Sequence, residues 1–196
     1  MPYVEQRATW FCVDIECNGP VPGLYAMVSL GCVCVQADAD GVLHKVGSWY
    51  RELKPDAPRF DARAAKVHGL DQARLQSHGL TRAEFCLELT AWVEAQTAPG
   101  TEACFVGHNA PFDWSFVAWT FAEQELPNPF GYKALCTKSM ATGALGVHWL
   151  DSSKETLSAT LPIRAEDKSQ KHRADYDADY QADILIALLN WRAALA

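Results

Sequence analysis

No apolar run in this 196-residue sequence is long enough to cross a bilayer. The most hydrophobic stretch, Ala26 to Val35, is broken by Ser29 and Gly31 and falls far short of the ~20 residues a membrane helix requires. The opening residues, Met1 to Thr9, carry Glu5 and Arg7 and have no apolar core. A secretory signal and a membrane partner are therefore not expected, and a cytoplasmic protein is. The seven cysteines, Cys12, Cys17, Cys32, Cys34, Cys86, Cys104 and Cys136, form no CxxC pair and no Cys/His cluster at zinc spacing. They read as reduced, mostly buried thiols. Cys32 and Cys34, two apart on an expected strand, share a face, yet two sulfurs do not make a metal site. Positive charge is scarce as well: 17 Lys and Arg stand against 24 Asp and Glu, a net −7. That excludes a broad basic surface as the means of holding nucleic acid, because such binding needs many Lys and Arg contacts to phosphate. It does not exclude a nucleic-acid enzyme in which convergent carboxylates bind divalent cations and the cations supply the positive charge. Repeats and low-complexity tracts are also missing.

What is present is apolar bulk. Hydrophobic residues make up 49% of the chain, with seven Trp and eight Phe, and charged residues 21%. That suffices for one substantial core, and a single domain over residues 1–196 is expected. Trp10 to Ile15, Met27 to Val35 and Val42 to Leu53 are rich in aromatic and β-branched residues, with the turn-like Asp38-Ala39-Asp40-Gly41 between the last two. They predict an antiparallel three-strand opening. Pro55 to Leu80 mixes Pro, Ala and His-Gly, and one short helix inside a connecting region is expected there. Thr81-Arg82-Ala83-Glu84 has the capping-box form ahead of Phe85, Leu87, Leu89, Trp92 and Val93, predicting a helix to about Gln96 that Pro99-Gly100 ends. A strand, Cys104 to Val106, passes through Gly107-His108-Asn109 into a helix starting near Pro111, where proline suits the first turn. Further on, Leu135 to Leu145 is expected to be partly helical, Asp151 to Leu161 to hold a short helix, and Ala165 to Lys171 to be a polar loop. A long helix from Ala174 to Ala194 follows.

Three segments carry chemistry. In Asp14-Ile15-Glu16, strand alternation sends both carboxylates to one face and Ile15 to the other. Adjacent carboxylates repel unless an ion lies between them, and hard cations such as Mg²⁺ prefer carboxylate oxygen. Exposed strand ends also carry acidic pairs, so this pattern decides nothing alone. Asp113 falls in the first turn of a helix, where the macrodipole favours negative charge. It shares the stripe of Phe116, Val117 and Phe121, which points it at the core; N-terminal capping is the plain alternative. Of Asp175, Asp177 and Asp179, periodicity selects Asp177, which lies on one face with Gln181, Ile184, Leu188 and Trp191, while the other two are expected to face solvent. A carboxylate on a core-facing stripe is costly unless paired or metal-bound. His172, five residues earlier in a loop, can hang over the same cavity, and an imidazole can take a proton from water near neutral pH.

These segments, D-I-E at Asp14 to Glu16, H-N-A-P-F-D at His108 to Asp113 and H-R-A-D-Y-D-A at His172 to Ala178, resemble in order and spacing the three motifs of the DEDDh exonucleases. That family includes polymerase proofreading subunits, oligoribonuclease and ribonuclease T. The resemblance implies a ribonuclease-H-like α/β fold whose mixed five-stranded sheet, three antiparallel strands followed by parallel ones, is flanked by helices. It implies two divalent cations, Mg²⁺ or Mn²⁺. Asp14, Glu16 and Asp177 would hold one directly, Asp14 would help hold the second, and Asp113 would act through bound water. His172 would deprotonate the attacking water as nucleoside 5′-monophosphates leave the 3′ end of single-stranded DNA or RNA or of a short oligonucleotide. Ile15, His68, Asn109 and Phe112 are the implied substrate contacts, and a homodimer is left open.

The chain departs from the family at Cys17-Asn18-Gly19, where relatives commonly have Thr-Thr-Gly, so contacts near the terminal nucleotide are expected to differ. Val67-His68-Gly69-Leu70 resembles a further substrate-side element, although Gly69 reads equally well as a helix C-cap. Phe112 and Trp114 invite a base-stacking role, with core packing as the alternative. Two rival readings remain: an inactive nucleic-acid or protein-binding module on the same fold, and a small structural metal-binding protein. The first is disfavoured by the presence of all five expected polar residues, the second by the placement of His172.

Overall fold

The computed structural model describes residues 7–194, with side chains to Trp191. Met1 to Gln6, most of the segment read above as carrying no secretory signal, lie outside the described residues. Five strands, β1 (Ala8–Cys17), β2 (Met27–Ala37), β3 (Leu43–Glu52), β4 (Glu102–Gly107) and β5 (Ala134–Cys136), form one sheet in the order β3-β2-β1-β4-β5. The first three pair antiparallel, and β4 and β5 join in parallel. This is the mixed sheet expected from the sequence. No helix among the described residues is long and apolar enough to cross a membrane.

Helices cover both faces. Phe11, Val13 and Ile15 of β1 pack with Leu30, Trp49 and Phe105 against α3 (Arg82–Gln96) and α4 (Ala110–Glu123), through Phe85, Leu89, Val93, Phe116, Val117 and Phe121. Each such buried side chain contributes roughly 1.5–3 kcal/mol. The opposite face brings Cys12, Val33, Val35 and Val106 against Ala178, Ala182, Leu185 and Leu189 of α7 (Ala174–Ala194). Along this second face β1 passes from Cys12 to Asp14 and Glu16, so the sheet turns from apolar to acidic where the start of α7 crosses it. Gly31 is what lets the helix come so close. It pairs with Asp14 across the β1–β2 ladder, and a Cβ there would lie 2.1 Å from the carbonyl oxygen of Ala174.

The predicted capping box is present, with the Thr81 side chain accepting from Glu84 N and the Glu84 side chain from Thr81 N. Between residues 55 and 80 the structure has two helices rather than one, α1 (Ala62–His68) and α2 (Gln72–His78). Each begins at an aspartate, Asp61 or Asp71, whose side chain caps it, and each buries a single residue, His68 or Leu75. Neither has the apolar stripe that reveals a helix in sequence. The stretch around residue 135 opens with the three-residue strand β5 before α5 (Thr137–Leu145), and the next holds a 3₁₀ turn (Trp149–Asp151) and α6 (Lys154–Thr160). Trp191 does not continue the core stripe of α7; its side chain is 40% exposed.

Candidate active site

Four elements bring the sequence-selected polar residues to one end of the sheet. β1 supplies Asp14 and Glu16, the β4–α4 turn and first turn of α4 supply Asn109 and Asp113, the loop before α7 supplies His172, and α7 supplies Asp177. All six line one cleft of about 400 Å³, with Ile15, Phe112, His108, Lys138, Lys154 and Lys171. Two larger clefts, about 500 and 510 Å³, hold none of the five motif residues that carry charge or proton chemistry. Chemistry rather than size therefore selects the site. One carboxylate oxygen each from Asp14, Glu16 and Asp177 lies within 4.8 Å of the others, a spacing and donor set that suit a hard divalent cation. Asp113 stands apart from that trio and is tied to it through β1: its Oδ1 accepts from the Ile15 N–H at 3.2 Å.

Asp14, Asp113 and Asp177 are each oriented by a backbone or side-chain donor. Asp177 Oδ2 accepts from the His172 N–H at 2.8 Å. His172 reaches this position with φ of 65°, a left-handed conformation uncommon outside glycine and characteristic of functional turns. Gln181, fully buried on the α7 stripe, donates from Nε2 to Asp14 Oδ1 and accepts the His108 N–H at Oε1, 3.0 Å away. Asn109 also adopts a left-handed conformation, φ 75°, at the N-terminus of α4, and its side chain makes no capping bond.

So many carboxylates in one place resist ionisation. Burial, and then repulsion from Asp14, Asp177 and Asp113, push Glu16 up to about 9. Burial raises Asp14 to about 7 against the opposing pull of Lys154, and burial followed by the charge of Asp14 holds Asp113 well above the carboxylate range. His108 moves the other way. Burial, with Lys154 and Lys138 nearby, drives it down to about 3. An imidazole so weakly basic is a poor proton acceptor; His172, by contrast, is exposed at the cleft.

The family model for the RNase T exonucleases matches residues 11–185. The chain belongs to this exonuclease family. Among its relatives, the 3′-5′ DNA exonuclease Cap18 of Escherichia coli is 36% identical over 173 residues, covering 88% of this chain and 87% of the relative. The exonuclease fold is also that of the nuclease domain of 3′hExo, a DEDDh family member whose structure holds rAMP (TM-score 0.75, 12% identity, 95% and 94% of the two chains). It recurs in a zinc-bound complex of E. coli exonuclease I with single-stranded DNA (TM-score 0.68, 18% identity, 93% of this chain and 40% of the other).

Within this exonuclease the substrate-side residues divide. Phe112, 36% exposed, lies at the cleft, whereas Trp114 packs edge-on against Phe105 at 5.1 Å and belongs to the core. Gly69 caps α1 with φ of 67°. His68 is buried, its Nε2 3.1 Å from Asn18 Oδ1 and its Nδ1 accepting the Leu70 N–H at 3.0 Å. Because Asn18 Nδ2 donates to Gln72, Asn18 Oδ1 is an acceptor, and His68 is the neutral Nε2–H tautomer. The departure at Cys17-Asn18-Gly19 thus serves an internal bond that fixes His68, beside a smaller cleft shared with Glu16 and His172. Asp175 and Asp179 do stay out of the site, but in ion pairs rather than free in solvent. Sequence reasoning missed Lys154, whose ammonium bonds Asp177 Oδ1 and lies 3.5 Å from Asp14 Oδ1. Ser153 caps the short helix α6 and places the lysine in its first turn, but nothing local in the sequence points that lysine at the site.

Proposed function

We propose that the protein hydrolyses phosphodiester bonds from the 3′ end of single-stranded nucleic acid, releasing nucleoside 5′-monophosphates, with Asp14, Glu16, Asp113 and Asp177 as its metal site. The meeting of three carboxylates within 4.8 Å, around a position already satisfied by a lysine ammonium, is the observation that carries this reading. Bound there, two Mg²⁺ or Mn²⁺ ions supply charge stabilisation for the attacking and leaving oxygens of an in-line displacement. Asp14, Glu16 and Asp177 would hold one ion, Asp14 would also help to hold the second, and Asp113 would act through bound water. His172 accepts the proton of the attacking water from the mouth of the cleft. Phe112 offers a ring face for a base, and Asn109 an amide without a capping partner. Ile15 and His68 contribute apolar contact, both His68 nitrogens being engaged internally.

The relatives support a nucleic-acid substrate: Cap18 is a 3′-5′ DNA exonuclease, 3′hExo holds rAMP, and exonuclease I holds single-stranded DNA. Labelled single-stranded DNA and RNA of several lengths, digested in parallel, decide between the two sugars. In the same reading residues 1–196 act as one cytoplasmic domain. Limited proteolysis, cell fractionation and sedimentation test that, the last also deciding between monomer and homodimer. Excess EDTA abolishes hydrolysis and Mg²⁺ or Mn²⁺ restores it, while Asp14→Asn folds without cutting. Full activity in EDTA, or undiminished activity of Asp14→Asn, overturns the assignment.

A further inference from the structure

Lys154 follows the N-cap Ser153, whose Oγ accepts from the Thr156 N–H at 3.1 Å, so the base of its side chain is fixed. Its ammonium bonds Asp177 Oδ1 and lies 3.5 Å from Asp14 Oδ1, and the side chain is only 15% exposed. The remaining Asp177 oxygen is taken by the His172 N–H. An ion held by Asp14, Glu16 and Asp177 together would meet this ammonium at Asp177 Oδ1 and beside Asp14 Oδ1. An ammonium and a divalent cation within a few ångströms repel strongly in a partly desolvated cleft, and they cannot share those oxygens.

We propose that Lys154 is a tethered counter-ion: it closes the acidic cluster in the metal-free protein, is displaced when metal binds, and then carries its charge to the phosphate of the bound nucleic acid. This rests on the metal site proposed above. The side chain is flexible and lines the cleft with Lys138 and Lys171, so an arriving phosphate gives the ammonium an alternative partner. Metal and phosphate then favour one another's binding, because both gain from the same movement of Lys154.

The test is Mn²⁺ titration, followed by the electron spin resonance of free Mn²⁺, on the wild type, Lys154→Met, Lys154→Gln and Asp14→Asn, with and without a nucleoside 5′-monophosphate. Without nucleotide, both Lys154 variants bind Mn²⁺ about tenfold tighter than the wild type, and Asp14→Asn loses the site. Saturating nucleotide tightens Mn²⁺ binding more in the wild type than in Lys154→Met. In thermal unfolding, Lys154→Met is less stable than the wild type in EDTA, and the gap closes as Mn²⁺ is added. Affinity that is unchanged or weaker in both Lys154 variants, with binding still lost in Asp14→Asn, overturns this inference alone. A stability gap that persists at saturating Mn²⁺ overturns it too, since that marks a purely structural lysine. Mn²⁺ binding indifferent to Asp14→Asn overturns the metal site and the inference with it.

Discussion

Helix α7 carries two acidic groups within seven residues, and they are treated differently. Asp179 and Asp183 face Lys45 of β3 at 2.8 and 2.7 Å and also meet Arg164, which is 2.9 Å from Asp183. Two cations answer two carboxylates, and the group is balanced. One turn earlier, Asp177 joins Asp14, Glu16 and Asp113 in a cleft where Lys154 bonds Asp177, approaches Asp14, and leaves Glu16 and Asp113 without a cation. The first group resembles an ordinary ion-pair network. The second gathers more carboxyls than cations, and burial with mutual repulsion favours their protonated forms unless a metal ion takes the protons' place. A surplus of carboxyls over cations, rather than acidity as such, distinguishes the site.

That contrast can be broken from either side. Asp177→Asn should have the largest effect, reducing exonuclease activity to background in a digestion assay with the fold retained by circular dichroism. Substantial residual cutting would place the metal elsewhere. His172→Ala should lower turnover by roughly 10²–10⁴-fold while leaving Mn²⁺ binding in place, because the bond from position 172 to Asp177 comes from the backbone. Lost Mn²⁺ binding in that variant would make His172 a structural residue.

Protonation gives a smaller effect of defined sign. In the metal-free protein Asp14 and Glu16 titrate near 7 and 9, above the values of roughly 4 expected in the unfolded chain. The folded state therefore holds these protons more tightly. The stability this contributes is complete below about pH 4 and is lost as pH rises through 7 toward 9. In EDTA the thermal midpoint should fall across that window. Saturating Mg²⁺ should oppose the fall, because cations bind the deprotonated carboxylates. A midpoint in EDTA that is flat over this range would show the cluster to be neutralised already. Least affected should be Lys45→Met, in the balanced group: about 1 kcal/mol, or ~2–4 °C in the midpoint, with activity unchanged. A large loss of activity there would show that the two groups act together.

Much of this was legible in the sequence because the local signals were strong and agreed with one another. The β1–β3 opening, the capping box at Thr81 and the span of α7 follow from alternation, capping chemistry and periodicity. Asp113 and Asp177 could be singled out because each sits on a core-facing helical stripe where a charge is out of place, while their convergence with Asp14 and Glu16 followed from the family resemblance. Of the helices α1 and α2 only one was expected, because each is seven residues long and buries a single residue, so that no apolar stripe marks it even though Asp61 and Asp71 are favoured caps. Lys154 escaped for a different reason. A lysine in a short, polar helix looks like a solvated surface residue, and only the distant chain segments packed around it reveal otherwise. Asn18 was read as a departure in substrate contact, but its bonds to His68 and Gln72 span some fifty residues, beyond any local pattern.

The two strands of evidence for the site come from opposite ends of the described fold, Asp14 and Glu16 on its first strand and Asp177 on its last helix. A chain that stops before α7 lacks Asp177, and so one of the three clustered carboxylates, however much of the sheet it forms. During synthesis the proposed site is therefore incomplete until α7 has emerged and docked over Gly31.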